Sequence, residues 1–276
     1  MFQEFFPILE GAPMGDLWVL LGWGLLLMTA WMFILWIWHL KTENVGVVDF
    51  GWASGLAFLG VFYALKADGY GPRRFLIGGM VALWGGRLAW HLLMDRIVGG
   101  QLEDPRYTAL RERWPDHFGL RMFFYFEIQA VLAVLLSVPF ALLSVDALDH
   151  VTGYEWAGLA LWGIAFSGEW IADSQLKHFK ADPDNQGHVC QEGLWYYSRH
   201  PNYFFEWLIW VSYCVAALET PYGGWTIICP LLMAFFLLKV TGIPATEGHA
   251  VQSRGEEYLD YQRTTSMFVP WFKKNA

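Results

Sequence analysis

Long apolar segments are the feature that most constrains the fold of this chain. A membrane-spanning helix needs about 20 mostly apolar residues, because the hydrocarbon layer offers its backbone no hydrogen-bond partner. We predict seven such helices, at residues 17–40, 46–66, 74–95, 122–145, 154–176, 202–219 and 223–243. The pattern predicts an all-α polytopic membrane protein with one domain, residues 1–276, that ends in a tail at 244–276.

Composition supports a membrane location. Hydrophobic residues make up 55% of the chain and charged residues 16%, whereas soluble domains are about 25% charged. The 17 Trp, 12 Tyr and 21 Phe suit lipid-facing helices and interfacial belts, so membrane lipid is an expected partner. The net charge of −8 argues against a nucleic-acid partner, which would require a basic surface.

The basic residues predict an orientation. Most of the 18 Lys and Arg fall in segments on the side of the C-terminal tail, and only Lys66, Arg73 and Arg74 fall on the opposite side. The positive-inside rule then predicts an outside N-terminus and a cytosolic C-terminus. The first 16 residues have no basic region and no small-residue cleavage site, so we do not expect a signal peptide.

A polar and aromatic run at residues 193–206 lies between two apolar segments. It contains Arg199, His200, Asn202 and Glu206, and such groups are costly near a bilayer core unless they face a cavity. A cation and a histidine before a new helix also suit a phosphate-bearing ligand. The alternative is a juxtamembrane loop whose arginine reaches the lipid headgroups.

The tail carries a second candidate surface. Glu247, Arg254, Tyr258 and Tyr261 are spaced by seven, four and three residues, so they share one face if the segment is a helix. These side chains suit a phosphate, ribose hydroxyls and an adenine ring. The alternative is an amphipathic helix that lies in the membrane interface.

The fifth predicted span contributes a polar face of its own. Glu169, Asp173 and Lys177 recur every four residues, and Asn202 and Glu206 open the sixth span with the same spacing. We expect these residues to share one polar pocket. The alternative is an intrahelical ladder of ion pairs at the membrane edge, with Lys177 paired to Asp173.

The second and third spans hold the candidate catalytic residues, namely Asp49, Trp52, Trp84 and His91. We expect them to line an aromatic cavity for an apolar substrate and to donate a hydrogen bond to its polar atom. Asp49, if desolvated, would stay protonated and could be that donor. The intramembrane Arg87 needs a counter-charge from Asp49 or Glu127, and the alternative is therefore a purely structural ion pair.

Several familiar motifs are missing. No glycine-rich dinucleotide loop, phosphate loop or metal-spaced histidine group is present, so we predict no metal site and no Rossmann-type cofactor site. The turn at 103–107, Glu-Asp-Pro-Arg-Tyr, lies on the predicted cytosolic side. It could cover a cofactor, or it could be a loop held by its own salt bridges.

Residues 193–206 and 247–270 resemble the C-terminal half of the membrane steroid 5-alpha-reductase family. The segments at 48–52, 84–88 and 103–107 look like the bacterial branch of that family. The resemblance runs from about residue 46 to the C-terminus. The Arg-His-Pro-x-Tyr motif and the tail are also similar to sterol C14-reductases and to isoprenylcysteine carboxyl methyltransferases.

The resemblance implies a seven-helix enzyme of the bacterial inner membrane that binds NADPH from the cytosol. It implies hydride transfer to the C4–C5 double bond of a 3-oxo-Δ4-steroid or a similar lipophilic enone. Asp49 and Trp84 match the Glu and Tyr that hold the steroid carbonyl in animal reductases, and Trp84 lacks the phenol. The resemblance implies that the cofactor is bound by Asp173, Tyr197, Arg199, His200, Asn202, Glu206, Glu247, Arg254, Tyr258 and Tyr261. We add Lys177 to these predicted cofactor residues as a basic group on the same side.

Two other functions fit the sequence. An S-adenosylmethionine-dependent methyltransferase of the isoprenylcysteine type would bind a sulfonium and a carboxylate in place of several phosphates. The dinucleotide is favoured over S-adenosylmethionine by the basic residues on the predicted cytosolic side, namely Arg106, Lys177, Lys180, Arg199 and Arg254. A non-enzymatic lipid-binding protein would not require the polar run at 193–206.

Overall fold

The computed structural model describes residues 14–99 and 105–274, and within these ranges the regular structure is helical. The helices are α1 Met14–Thr42, α2 Val47–Lys66, α3 Gly71–Leu93, α4 Pro105–Arg113, α5 Phe118–Leu136, α6 Val138–Val145, α7 Gly153–Ala181, α8 Leu194–Tyr197, α9 Pro201–Ala216, α10 Ile228–Phe235, α11 Ile243–Arg254 and α12 Glu256–Thr264. The chain forms two compact units. The first contains Met1–Trp156 and Ala216–Thr226, and the second contains Ala157–Val215 and Ile227–Ala276.

Five helical segments of the described chain are long and apolar enough to cross a membrane. They are Gly15–Thr42, Val47–Lys66, Gly71–Val98, Phe118–Val145 and Gly223–Arg254. They coincide with the first four predicted spans and the seventh, so the prediction of an α-helical membrane protein is confirmed.

The other two predicted spans are helices of a different character. The segment 154–176 lies within α7, whose apolar character is interrupted by Glu155, Glu169 and Asp173. The segment 202–219 lies largely within α9, which has 16 residues and ends before the predicted boundary. A helix of that length falls short of a bilayer core, which needs about 20 residues. The seven-span topology and its orientation therefore stay predictions.

Local breaks divide segments that the sequence predicts as continuous. Ser137 separates α5 from α6, where Pro139 follows in the first turn of the new helix. Gly255 separates α11 from α12 with φ +54° and ψ −129°, a conformation that glycine adopts without a steric penalty. The prediction of one continuous helical face from Glu247 to Tyr261 is therefore wrong.

Small residues allow the helices of the first unit to pack closely. At several positions of α2 and α3 a glycine faces a residue of the other helix so closely that no Cβ atom would fit without movement. Helices in apolar surroundings associate through such close contacts, because lipid offers no hydrophobic driving force between them. The close pairs are Gly60 with Val81, Gly78 with Ala64, and Gly85 with Ala57.

A buried arginine fixes the start of α3. Arg73 is fully buried, and its Nε donates to the carboxylate of Glu155. Its other nitrogens donate to the backbone oxygens of Asp146, Leu148 and His150 at 2.9, 3.0 and 2.6 Å. Because each bond satisfies a buried charge or carbonyl, Arg73 holds the segment between α6 and α7 against α3.

We expect Gly78→Ala to destabilise the protein, because the new Cβ would lie 2.7 Å from the Cβ of Ala64 and force the two helices apart. The cost should be about 1–3 kcal/mol, read as a lower midpoint of thermal unfolding in detergent. The matched control is Gly79→Ala, where no atom lies within 4 Å of the new Cβ. Equal midpoints for the two variants would contradict the close packing of α2 and α3.

Candidate functional site

In the first unit, Asp49 stands at the centre of a cluster of hydrogen-bond donors. It lies in the first turn of α2, and its Oδ2 accepts from Arg96 and from Nη2 of Arg106, the latter at 3.2 Å. Its Oδ1 accepts from the hydroxyl of Tyr107 at 2.7 Å. We call Asp49, Arg96, Arg106 and Tyr107 the Asp49 cluster.

The three contacts engage both carboxylate oxygens of Asp49. The role of Asp49 as a hydrogen-bond donor to a substrate stays a prediction. The cluster offers further donors, among them Tyr107, which is 1% exposed. Burial, and then the charge of Asp49, raise the pKa of Tyr107 well above its ordinary value, so it remains a neutral phenol.

The other catalytic candidates do not all share the environment expected of them. The rings of Trp52 and Trp84 meet edge to face with centroids 6.3 Å apart, and Trp84 is fully buried. His91 is exposed, although its spacing from Trp84 puts it on the same side of α3. A helix face that is buried at one level need not be buried two turns further along, and the prediction that His91 lines a cavity stays a prediction. Of the turn at 103–107, Glu103 and Asp104 lie outside the described residues.

In the second unit, Glu247 of α11 holds the polar run together. Its Oε1 accepts from Nε of Arg199 at 2.6 Å and lies 3.1 Å from Nε2 of His200, and its Oε2 accepts from the amide of Gln262 at 2.8 Å. Arg199 is 8% exposed and His200 is 3% exposed. We call Glu247, Arg199, His200 and Gln262 the Glu247 cluster. In this polar network Arg199 and His200 are buried, and Glu247 and Gln262 are half-buried.

Arg199 also fastens the C-terminal segment. Its Nη1 donates to the backbone oxygens of Gln262 and Thr265 at 3.0 and 2.7 Å, and its backbone N–H donates to Ser266 at 2.8 Å. The hydroxyl of the neighbouring Ser198 donates to the oxygen of Phe268 at 2.8 Å. Nε and Nη1 of Arg199 are therefore engaged by Glu247 and by these carbonyls. The binding of a cofactor phosphate by Arg199 stays a prediction.

His200 is unsuited to pairing with a phosphate as a cation. Burial lowers its pKa, although the hydrogen bond and charge of Glu247 oppose that shift. Its ring stacks on Tyr203, with centroids 5.5 Å apart and planes 7° from parallel. His200 therefore serves as a neutral, oriented group at the start of α9.

The tyrosines of the tail belong to a small core. Tyr258 and Tyr261 pack with Val189 and Ala250, and burial raises the pKa of each phenol. The hydroxyl of Tyr261 donates to backbone oxygens of the 195–198 segment, so it holds that segment in place. The contact of both phenols with a cofactor stays a prediction.

Two further predicted residues have structural partners. Arg254 ends α11, and its Nε donates to the backbone oxygen of His188 at 3.0 Å. Glu206 is 8% exposed, and its Oε1 accepts from the indole of Trp210 at 3.0 Å.

A more accessible set lies along α7 and the start of α9. Asn202 donates from Nδ2 to Oδ1 of Asp173 at 3.2 Å, which joins the two helices in the predicted way. Lys177 is exposed one turn beyond Asp173, and Tyr197 is 39% exposed. The eleven predicted cofactor residues thus divide in two. Arg199, His200, Glu206, Tyr258 and Tyr261 are buried, and together with the half-buried Glu247, which pairs with Arg199, we call them the buried framework. The others are half-buried or exposed and form the accessible set, namely Asp173, Lys177, Tyr197, Asn202 and Arg254.

The sequence analysis missed three residues of these clusters. Tyr107 and Arg96 reach Asp49 over 58 and 47 residues of chain, and Gln262 reaches Glu247 over 15. The polar turn around Tyr107 was a usable signal for the first pair. Gln262 gave none, because it lies beyond the helix break at Gly255.

Comparisons with known proteins give a family and one relative. The model of a family described as a protein of unknown function (DUF1295) matches residues 35–265. The uncharacterized protein C594.04c of Schizosaccharomyces pombe (strain 972 / ATCC 24843) is 28% identical over 222 residues, which cover 70% of this chain and 64% of the relative. The match therefore spans less than two thirds of the relative's length. No solved structure matches the chain.

We expect Glu247→Gln to loosen the C-terminal segment, because the guanidinium of Arg199 would lose its charged partner while remaining buried. The protein should lose about 2 kcal/mol of stability. Hydrogen exchange at the backbone amides of residues 265–268 should rise by more than tenfold. The control is Glu256→Gln, an exposed carboxylate at the start of α12. Unchanged exchange in Glu247→Gln would show that Glu247 does not hold the segment.

Proposed function

The chain belongs to the DUF1295 family, and we propose that it is an NADPH-dependent membrane reductase. The proposed reaction is hydride transfer to the C4–C5 double bond of a 3-oxo-Δ4-steroid or a similar lipophilic enone. The observation that supports it most is the accessible polar set of the second unit, which includes the Asn202–Asp173 hydrogen bond between α9 and α7. The resemblance of residues 193–206 and 247–270 to membrane reductases supplies the reaction class.

The accessible residues suit the parts of a dinucleotide. Lys177 and Arg254 are cations for phosphate, and the paired Asp173 and Asn202 offer an acceptor and a donor for ribose hydroxyls. Tyr197 exposes a ring on which an adenine can stack. Bound NADPH would supply the hydride. The buried framework would keep the start of α9 and the tail in one arrangement, which reduces the entropy lost on binding.

The proposed chemistry at the substrate requires a donor for one oxygen. Hydride addition to the β-carbon of an enone places negative charge on the carbonyl oxygen, and a fixed donor directed at it lowers the barrier. Among the candidates of the first unit, Tyr107 and the arginines of the Asp49 cluster are donors, and Asp49 positions them. Trp52 and Trp84 offer apolar rings for a flat substrate.

A methyltransferase that uses S-adenosylmethionine remains the second candidate, and one observation favours it. Arg199 and Arg106 both have carboxylate partners, so fewer cations are available for phosphates than the sequence suggested. A ligand with a sulfonium and one carboxylate requires fewer of them.

Binding by the detergent-purified protein tests the two candidates directly. We expect NADPH to bind with micromolar affinity and S-adenosylmethionine to bind at least about a hundredfold more weakly, measured by isothermal titration calorimetry. Lys177→Met should weaken NADPH about tenfold by removing a phosphate contact. The matched control is Lys66→Met, an exposed lysine at the end of α2 in the first unit.

Turnover is the second measurement. NADPH oxidation that depends on added progesterone, with a product heavier by two hydrogens in mass spectrometry, would support the reductase. Binding of S-adenosylmethionine without binding of NADPH would overturn it in favour of the methyltransferase.

A further inference from the structure

A cavity of about 560 Å³ opens beside the C-terminal half of α7 in the second unit. Its lining residues are Trp170, Ile171, Ser174, Gln175, His178, Phe179, Asp182, Asn185 and Glu192. Neither the Glu247 cluster nor the accessible set contributes a lining residue. Ile171, Ser174 and His178 recur every three or four residues and so form one face of α7, and Asp173 is not part of it.

The charged groups in the wall are carboxylates. Asp182 and Glu192 line the cavity, and neither lysine nor arginine occurs among its nine lining residues. A cavity with two carboxylates and no cation attracts a positively charged ligand and repels a phosphate.

The neutral groups of the wall add acceptors. Nδ2 of Asn185 donates to the oxygen of Phe179 at 3.2 Å, which leaves its Oδ1 as an acceptor. Nδ1 of His178 lies 2.7 Å from the oxygen of Ser174, so in the neutral ring Nε2 is an acceptor as well. Oδ1 of Asp182 accepts from the N–H of Asp184 at 3.0 Å, and the second oxygen can serve a ligand. Such a wall suits a ligand that donates several hydrogen bonds.

The other end of the cavity is apolar and open. Trp170 and Ile171 are 56% and 49% exposed, and Ile164 further along α7 is 62% exposed. Exposed apolar residues on a membrane protein are suited to contact with lipid tails. The ring of Trp170 can also attract a cation over its face. The cavity therefore offers an apolar contact and a negatively charged one to the same ligand.

We propose that this cavity binds the ammonium headgroup of an amine-bearing membrane lipid. The ammonium donates to Asp182, Glu192 and Asn185, and the alkyl chain follows Trp170 and Ile171. Long-chain lipid amines that carry no phosphate beside the ammonium have this chemistry, because the wall repels a phosphate. The site is separate from the proposed cofactor residues, so it stands or fails independently of the reductase function.

Three probes separate the parts of this proposal, each added below its micellar concentration to the full-length protein in detergent. They are dodecylammonium, which has charge and chain, dodecanol, which has the chain alone, and ethanolamine, which has the charge alone. We expect dodecylammonium to bind at least about tenfold more tightly than either of the others, measured by calorimetry.

The double variant Asp182→Asn, Glu192→Gln keeps the shape of the wall and removes its charge. We expect it to weaken dodecylammonium at least about fivefold and to leave dodecanol unchanged. The control is Asp184→Asn, an exposed carboxylate of the same loop that does not line the cavity. Dodecanol binding as tightly as dodecylammonium, or no effect of the double variant, would overturn the cationic site. Ethanolamine binding as tightly as dodecylammonium would overturn the lipid, because the apolar end would then contribute nothing.

Discussion

The pairing of carboxylates with arginines is the interaction on which both units of this protein depend. In an apolar environment an unpaired charge is so costly that each one must find a partner or be neutralised. Asp49 meets Arg96 and Arg106, Glu155 meets Arg73, and Glu247 meets Arg199. Each pair joins segments that are far apart in sequence. The pairs therefore determine which loops lie against which helices.

This constraint also decides which polar residues remain for a ligand. A polar residue near a membrane is often taken as a functional residue, because its burial is expensive. Arg199 and Glu247 show that the same cost can be met by a structural network, in which each group satisfies another. Residues left at the surface of the second unit, such as the exposed Lys177, are better candidates for binding, since a ligand can reach them without breaking a buried pair.

Close helix packing in the first unit follows a different physical rule. Between α2 and α3 the contact depends on the absence of side chains, at Gly60, Gly78 and Gly85, and on van der Waals contact across the resulting short distance. Trp52 and Trp84 fill the same interface further along. A rigid, tightly packed pair of helices is a suitable support for the Asp49 cluster, because it fixes the first turn of α2.

The sequence by itself determined the helical membrane class, most of the apolar spans and the join between Asp173 and Asn202. Hydrophobic length and helical spacing are local properties, so they can be read along the chain. It did not determine the partners of Asp49 and Glu247, the exposure of His91 or the break at Gly255. Those depend on which distant segments meet, as Tyr107 meets Asp49 across 58 residues of chain. Only the tertiary structure could separate the buried framework from the residues that a ligand can reach.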